Sequence, residues 1–238
     1  MRKLFVAAAL ALFSLGAMAQ NLQLHYDFAD GRQMLTSTVE MFKLDDYGST
    51  FFFIDMDYGS ENSGVEGIDM AYWEIARSFK VGDLPFEVRA EYNGGLGRSG
   101  DFAYRINDAF LVGIQHTWLS SDFSKNFTLQ LNYKAIMDKL GDAGDETQHS
   151  FQITGVWGMN FMDNKVTFAG FADFWKEDGF SFNENFETTD FVFIAEPQIW
   201  YNINTSFSVG SEIELSSNFG GYDSFKVRPT LAVKWNLN

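Results

Sequence analysis

The chain has 238 residues, with 17 Lys and Arg against 32 Asp and Glu and a formal net charge of −15. A surface that neutralises phosphates needs the opposite balance, so nucleic acid is excluded as a partner. No cysteine is present, which removes disulfides, thiolate metal sites and thiol nucleophiles. A 46% hydrophobic and 17% aromatic content with only 3 Pro excludes disorder.

Met1-Arg2-Lys3 is a short basic start, followed by an apolar run from Leu4 to Phe13 and the small residues Ala17-Met18-Ala19. This is the pattern of a secretory signal peptide over residues 1–19, with cleavage near Ala19/Gln20. The run is too short for a membrane-spanning helix. One domain, residues 20–238, is then expected to work outside the cytoplasm, with a charge made still more acidic by the loss of Arg2 and Lys3.

From Leu22 onward, apolar and polar residues alternate. Leu22, Leu24, Tyr26 and Phe28 interleave with Gln23, His25 and Asp27. Further on, Phe127, Leu129, Leu131 and Tyr133 interleave with Thr128, Gln130, Asn132 and Lys134. Near the end, Phe225, Val227, Leu231, Val233 and Trp235 interleave with Lys226, Arg228, Thr230 and Lys234. Successive strand side chains point to opposite faces, so each segment has one apolar and one polar face. Twelve such segments fall near 22–28, 34–44, 50–58, 68–80, 86–92, 105–119, 127–137, 149–161, 165–175, 190–201, 207–216 and 225–237. Many reach the roughly 9–11 residues that a tilted strand needs to cross a bilayer.

The connections after even-numbered segments are brief. Those after odd-numbered segments are mostly longer and polar: Gly59–Gly67, Asn93–Tyr104, Asp138–Gln148, Lys176–Thr189 and Ser217–Ser224. Short inner turns and long outer loops predict an all-β fold, a twelve-stranded antiparallel transmembrane β-barrel in an up-and-down meander. Its place is the bacterial outer membrane. Its partners are outer-membrane lipid and the barrel-assembly machinery, and as a closed sheet it is expected to be a monomer without cofactor.

Lipid fixes the phase, because polar side chains must turn away from hydrocarbon. The inward set then includes Glu40 and Phe42 on the second segment, and Phe53, Asp55 and Asp57 on the third. Glu74 follows on the fourth, with Glu87, Arg89 and Glu91 on the fifth. Phe171, Asp173 and Trp175 lie on the ninth, Glu196, Gln198 and Trp200 on the tenth. Glu212 and Glu214 precede Lys226, Arg228 and Lys234 on the last two. Arg77 has the wrong parity and is expected at a membrane edge or a bulge. Pro197 and Pro229 each remove a ladder donor and are expected to mark a rim or bulge. The acids of segments two to five are expected to form one acidic wall facing the basic residues of the last segment. Two readings of such a lumen stand: charges that pair and fill a closed structural or adhesive barrel, or a constricted channel that selects a solute.

Three stretches carry a resemblance. They are Val39-Glu40-Met41-Phe42-Lys43 with Phe52-Phe53-Ile54-Asp55-Met56-Asp57-Tyr58, then Trp73-Glu74-Ile75-Ala76-Arg77-Ser78-Phe79, and Ala169-Gly170-Phe171-Ala172-Asp173-Phe174-Trp175. In order and spacing the chain resembles the nucleoside-specific channel-forming porins of the outer membrane, the Tsx-like family. The resemblance implies a monomeric barrel whose narrow lumen passes small polar solutes, nucleosides above all. On that reading Phe42, Phe53, Phe171, Trp175 and Trp200 stack the base. Glu40, Asp55, Asp57, Glu74, Arg89 and Asp173 meet its polar groups.

Other chemistry has less to stand on. His25, His116 and His149 beside Ser150 raise a lipase-type triad on an outer-membrane barrel, but three scattered histidines among many serines match such a pattern by chance, so no enzyme is expected. Asp55, Asp57 and Glu74 are oxygen ligands of the kind Ca²⁺ takes. Lumenal carboxylates are more often paired with bases such as Arg89 or Lys134, so no metal is expected.

Overall fold

The computed structural model describes residues 18–59, 63–141, 144–180 and 188–237. The proposed signal peptide lies outside these residues, except for Met18 and Ala19. In the full chain those two open the first strand, with Ala19 opposite Phe42.

The described residues form strands β1 (Met18–Asp27), β2 (Leu35–Asp45), β3 (Gly48–Tyr58), β4 (Ile68–Lys80), β5 (Glu87–Ser99), β6 (Phe102–Leu119) and β7 (Lys125–Gly141). They continue as β8 (Gly144–Phe161), β9 (Val166–Phe180), β10 (Thr188–Ala195), β11 (Gln198–Asn202), β12 (Phe207–Ser217) and β13 (Lys226–Leu237). Apart from β10 and β11, each pairs antiparallel with the next in the chain, and β13 pairs with β1. β10 and β11 both lie between β9 and β12 in one continuous register. They are two halves of a single strand interrupted at Glu196-Pro197, so the wall is a closed barrel of twelve strands. Closure leaves no edge, which satisfies the backbone in a solvent that offers no hydrogen bonds.

The interruption differs from the expected rim. Pro197 sits in mid-wall, where its missing N–H breaks the ladder. Its carbonyl still accepts from Ile213 N at 3.1 Å, and Glu196 N still reaches Phe171 O at 3.0 Å. Pro229 stays inside β13 opposite Ile213.

Three stretches expected as outer loops are partly strand. Leu96 pairs with Arg105, and Gly97 with Tyr104. Lys139 pairs with Glu146, and Thr188 with Phe180. Polar and Gly-rich composition looked like loop, but a hairpin ladder continues beyond lipid as long as its backbone groups pair. At Gly97 the Tyr104 ring lies where a Cβ would stand, 2.1 Å from its nearest ring atom. A cross-strand aromatic covers the glycine and keeps the strand regular.

The phase follows the alternation. Leu24, Val112, Leu131, Leu231 and Val233 are exposed, as a lipid face requires. Aromatic pairs stack on that face near its ends, Trp118 on Phe127 and Phe207 on Trp235 below, Phe174 on Phe191 above. Such girdles sit where a barrel meets the two interfaces. Arg77 is at the edge as expected. It grips Asp45 with two bonds of 2.7 and 2.8 Å at the β2–β3 turn and lies over the Phe79 ring. In the β6–β7 turn, Asp122 accepts from Ser120 Oγ at 2.6 Å and Ser124 Oγ at 2.9 Å. These bonds, Ser120's first, hold its carboxyl down at about 2.

The lipid face yields a direct test. Val112→Arg, in the middle of β6, is expected to cost about 2–4 kcal/mol in vesicle-reconstituted unfolding. Thr117→Arg, on the inner face of the same strand, is expected to cost far less. Equal costs would show that the phase of β6 is wrong.

Candidate functional site

The lumen is built by cross-strand register. β2 and β3 align Thr36 with Asp57 and Thr38 with Asp55, and each hydroxyl donates to the facing carboxylate, at 2.6 and 2.5 Å. Glu40 accepts from Asn21 Nδ2 at 2.8 Å, and Glu74 from Tyr72 OH at 2.8 Å. Asp55 and Asp57 thus take threonine partners from the neighbouring strand rather than Arg89 or Lys134. Arg89 instead pairs with Glu91, two residues along its own strand face. Lys134 donates to Gln152 at 2.8 Å.

Phe42, Phe53 and Phe171 keep the expected inward parity. Phe53 lies beside Phe51 and Tyr72, with centroids 6.0 and 5.9 Å away, and Phe42 is exposed. Trp175 and Trp200 differ from the stacking role expected of them. The Lys134 ammonium lies 4.2 Å over Trp175, and that of Lys234 lies 4.1 Å over Trp200. Trp200 is 0% exposed, with its indole N–H on Gln198 at 2.9 Å and His25 edge-on. Two cations and dense packing occupy the ring faces that a base would need.

The charges are not sorted into an acidic and a basic wall. Arg228 of β13 bonds Glu214 of β12 at 2.7 Å, and Glu214 also takes Ser216 at 2.6 Å and Arg32 at 3.3 Å. Arg32 also forms an ion pair with Asp27, at 2.7 Å. The strand that carries the bases lies against the strand that carries Glu212 and Glu214, so pairing is local and the expected transverse field is largely cancelled.

Two groupings reach across the lumen. Glu196 lies within electrostatic range of Glu212, Asp55 and Glu214, so the β10–β12 side meets β3. Glu212 is also within range of Glu40. Glu74 is within range of Glu91, Asp173 and Lys134, so β4 and β5 meet β7 and β9. The first grouping is mostly acidic, with Arg32 within range of Glu196 and Lys234 within range of Glu40. Among the described residues, no Lys or Arg comes within ion-pair distance of Glu40, Asp55, Glu196 or Glu212; Glu212 has only His25, at 3.8 Å. The second grouping is mixed, with Arg89 and Lys134 among its acids. Glu91, Glu196 and Glu212 belong to the inward set read from the sequence, without a binding role there, and Tyr72 and Asn132 share its parity; their spatial grouping was the missing signal.

The histidines do not share a face. His25 is buried inside, held by Gln23 and Thr230. His116 packs edge-on against Trp118, and His149 stacks on Tyr133 across the lipid face.

A sequence family described as a domain of unknown function, DUF5020, matches residues 19–237. No curated protein sequence matches the chain. Among solved structures, the NanC porin aligns with a TM-score of 0.60 at 12% identity, covering 92% of this chain and 100% of that one. The KdgM porin aligns with a TM-score of 0.51 at 8% identity, over 92% of this chain and 99% of that one. At these identities the likeness establishes an outer-membrane barrel fold. It lends no support to the Tsx-like resemblance in particular.

Proposed function

We propose that this chain, which belongs to the DUF5020 family over residues 19–237, is a narrow outer-membrane channel for small polar solutes. The observation that carries the reading is the acidic grouping of Glu40, Asp55, Glu196 and Glu212, brought together from both sides of the lumen. Carboxylates enclosed together keep their charge only where water or passing cations reach them. A hydrated path lined by such groups attracts cations and carries neutral polar molecules. That two barrels of the same fold are named porins supports the same reading.

Nucleosides remain the leading solute class. A flat base has Phe53 and Phe171 to stack on, and ribose hydroxyls have Asp55 and Glu40 to donate to. As a closed sheet, the barrel acts as a monomer in this reading. Reconstitution into planar bilayers tests it. The expected result is a small, cation-preferring conductance that added uridine or adenosine blocks and equimolar glucose does not. Conductance without selective block would leave a general small porin. No conductance would favour a closed structural barrel, the reading that the lysine-covered Trp175 and Trp200 favour.

A further inference from the structure

An aromatic side chain from an outer turn is folded back into the mouth of the lumen. Trp175 of β9 stands opposite Val192 of β10, and Asp173 opposite Ile194, so Val192 and Ile194 share the inward parity of Trp175 and Asp173. Trp175, Val192 and Ile194 form a buried apolar cluster, with Phe171 and Phe219 packed against it. Phe171 comes from the wall itself. Phe219 comes from the turn between β12 and β13, beyond the ladder pair of Phe193 with Ser217. It meets the Trp175 ring edge-on, with centroids 6.2 Å apart and planes at 85°.

The backbone around Phe219 is built to reverse and to swing. Left-handed φ angles bracket the ring, 56° at Asn218, 63° at Gly220 and 83° at Gly221. That region is costly for most side chains and free for glycine, so the chain turns back directly after Phe219. A Cβ at Gly220 would meet nothing within 4 Å, so the turn stands clear of its surroundings there. Both flanks are anchored. Asn218 Nδ2 donates to Phe191 O at 2.8 Å. Lys226 and Arg228 lie over the Tyr222 ring at 4.8 and 5.0 Å, and Arg228 is itself held by Glu214. The ring thus sits on a short segment with fixed ends and two glycines.

A second turn residue also reaches in, and the contrast assigns the roles. Arg32, between β1 and β2, is tied by charge to Asp27 and Glu214. Phe219 is held to Trp175 by an edge-on ring contact, a weak and uncharged interaction, in a turn of the kind that moves within nanoseconds to microseconds. Arg32 is the fixed part of the mouth and Phe219 the part that moves. We propose that Phe219 is a hinged stopper of the outer mouth. Seated on Trp175, Val192 and Ile194 it narrows the path; swung out about Gly220-Gly221 it clears it. The stopper rests on the channel reading for there being a path to narrow, whereas the hinge does not.

Fluorine NMR of the full-length barrel in detergent, with 4-fluorophenylalanine at position 219 alone, tests the hinge. The expected resonance is displaced by the Trp175 ring and moves, on warming, toward the position it takes in Trp175→Leu. The urea-unfolded barrel supplies that free position if the variant fails to fold. A resonance already at the free position would show that the ring is not seated, and a displaced one indifferent to temperature would show a fixed plug; either overturns the proposal. Planar bilayers then test the stopper. Phe219→Ala is expected to raise the mean conductance a few-fold and Phe219→Tyr to leave it near the parent's. Equal conductance of parent and Phe219→Ala would overturn the stopper and keep the channel. A ring that moves on warming in a barrel that never conducts would overturn the channel and keep the hinge.

Discussion

Glu214→Ala is expected to destabilise the barrel by about 3–5 kcal/mol, read as a lowered urea midpoint and a lower temperature at which the folded gel band is lost. Glu214 and Arg228 are 2.7 Å apart with side chains only 10% and 9% exposed. Removing the carboxylate leaves the Arg228 guanidinium buried, with the Tyr222 ring at 5.0 Å as its main remaining partner. Arg32 suffers less, because Asp27 still holds it at 2.7 Å. Ser216 loses its acceptor at 2.6 Å as well. The cost of truncating one member of a buried pair is mostly the cost of the charge left behind. Glu214→Gln keeps an acceptor in place and should lose less. If Glu214→Ala unfolds where the parent does, Arg228 is bathed by lumenal water and the upper lumen is open rather than packed.

The second large effect is on ion preference. Asp55→Asn combined with Glu196→Gln should move the reversal potential under a salt gradient from cation preference to near zero. The two carboxylates belong to strands on different sides of the barrel and act on one another across the lumen. Among the described residues neither has a Lys or Arg within ion-pair distance, and Arg32, which acts on Glu196 from farther off, is already paired with Asp27 and Glu214, so much of their charge is felt by whatever passes between them. In a narrow low-dielectric passage such a field governs which ions enter. Both substitutions keep size and hydrogen-bonding capacity, and Thr38 can still reach the side chain at position 55. If the barrel is the channel proposed, phosphorylated nucleotides should pass more readily through the variant than through the parent. Unchanged selectivity would mean that the permeation path avoids this grouping.

Much of the fold was legible because strand alternation is a local property. Leu22, Leu24 and Tyr26 against Gln23, His25 and Asp27 already state which face meets lipid, with no knowledge of the neighbouring strand. The same holds for the out-of-phase Arg77, whose parity points to an edge or a bulge; the structure puts it at the edge, on Asp45. Composition misled where it stood in for pairing. Gly94, Gly95 and Gly97 suggested a loop, yet the Tyr104 ring restores at Gly97 the cover that a side chain would give. Pro197 was visible, but not that it would divide one strand in mid-wall.

The candidate site divides along the same line. Parity alone put Glu40, Phe42, Phe53, Asp55, Asp57, Glu74, Arg89, Phe171, Asp173, Trp175 and Trp200 on the inner wall. Which of them meet was decided by closure and register. β13 lies against β12 and β1, so Arg228 neutralises Glu214 instead of facing a distant acidic wall. Lys134 and Lys234 settle on Trp175 and Trp200 because those strands bring cation and ring together. The period of two is written in each strand by the need to hide polar groups from lipid. Contacts across the lumen depend on how every strand is staggered against the next, and that sum exists only once the barrel has closed.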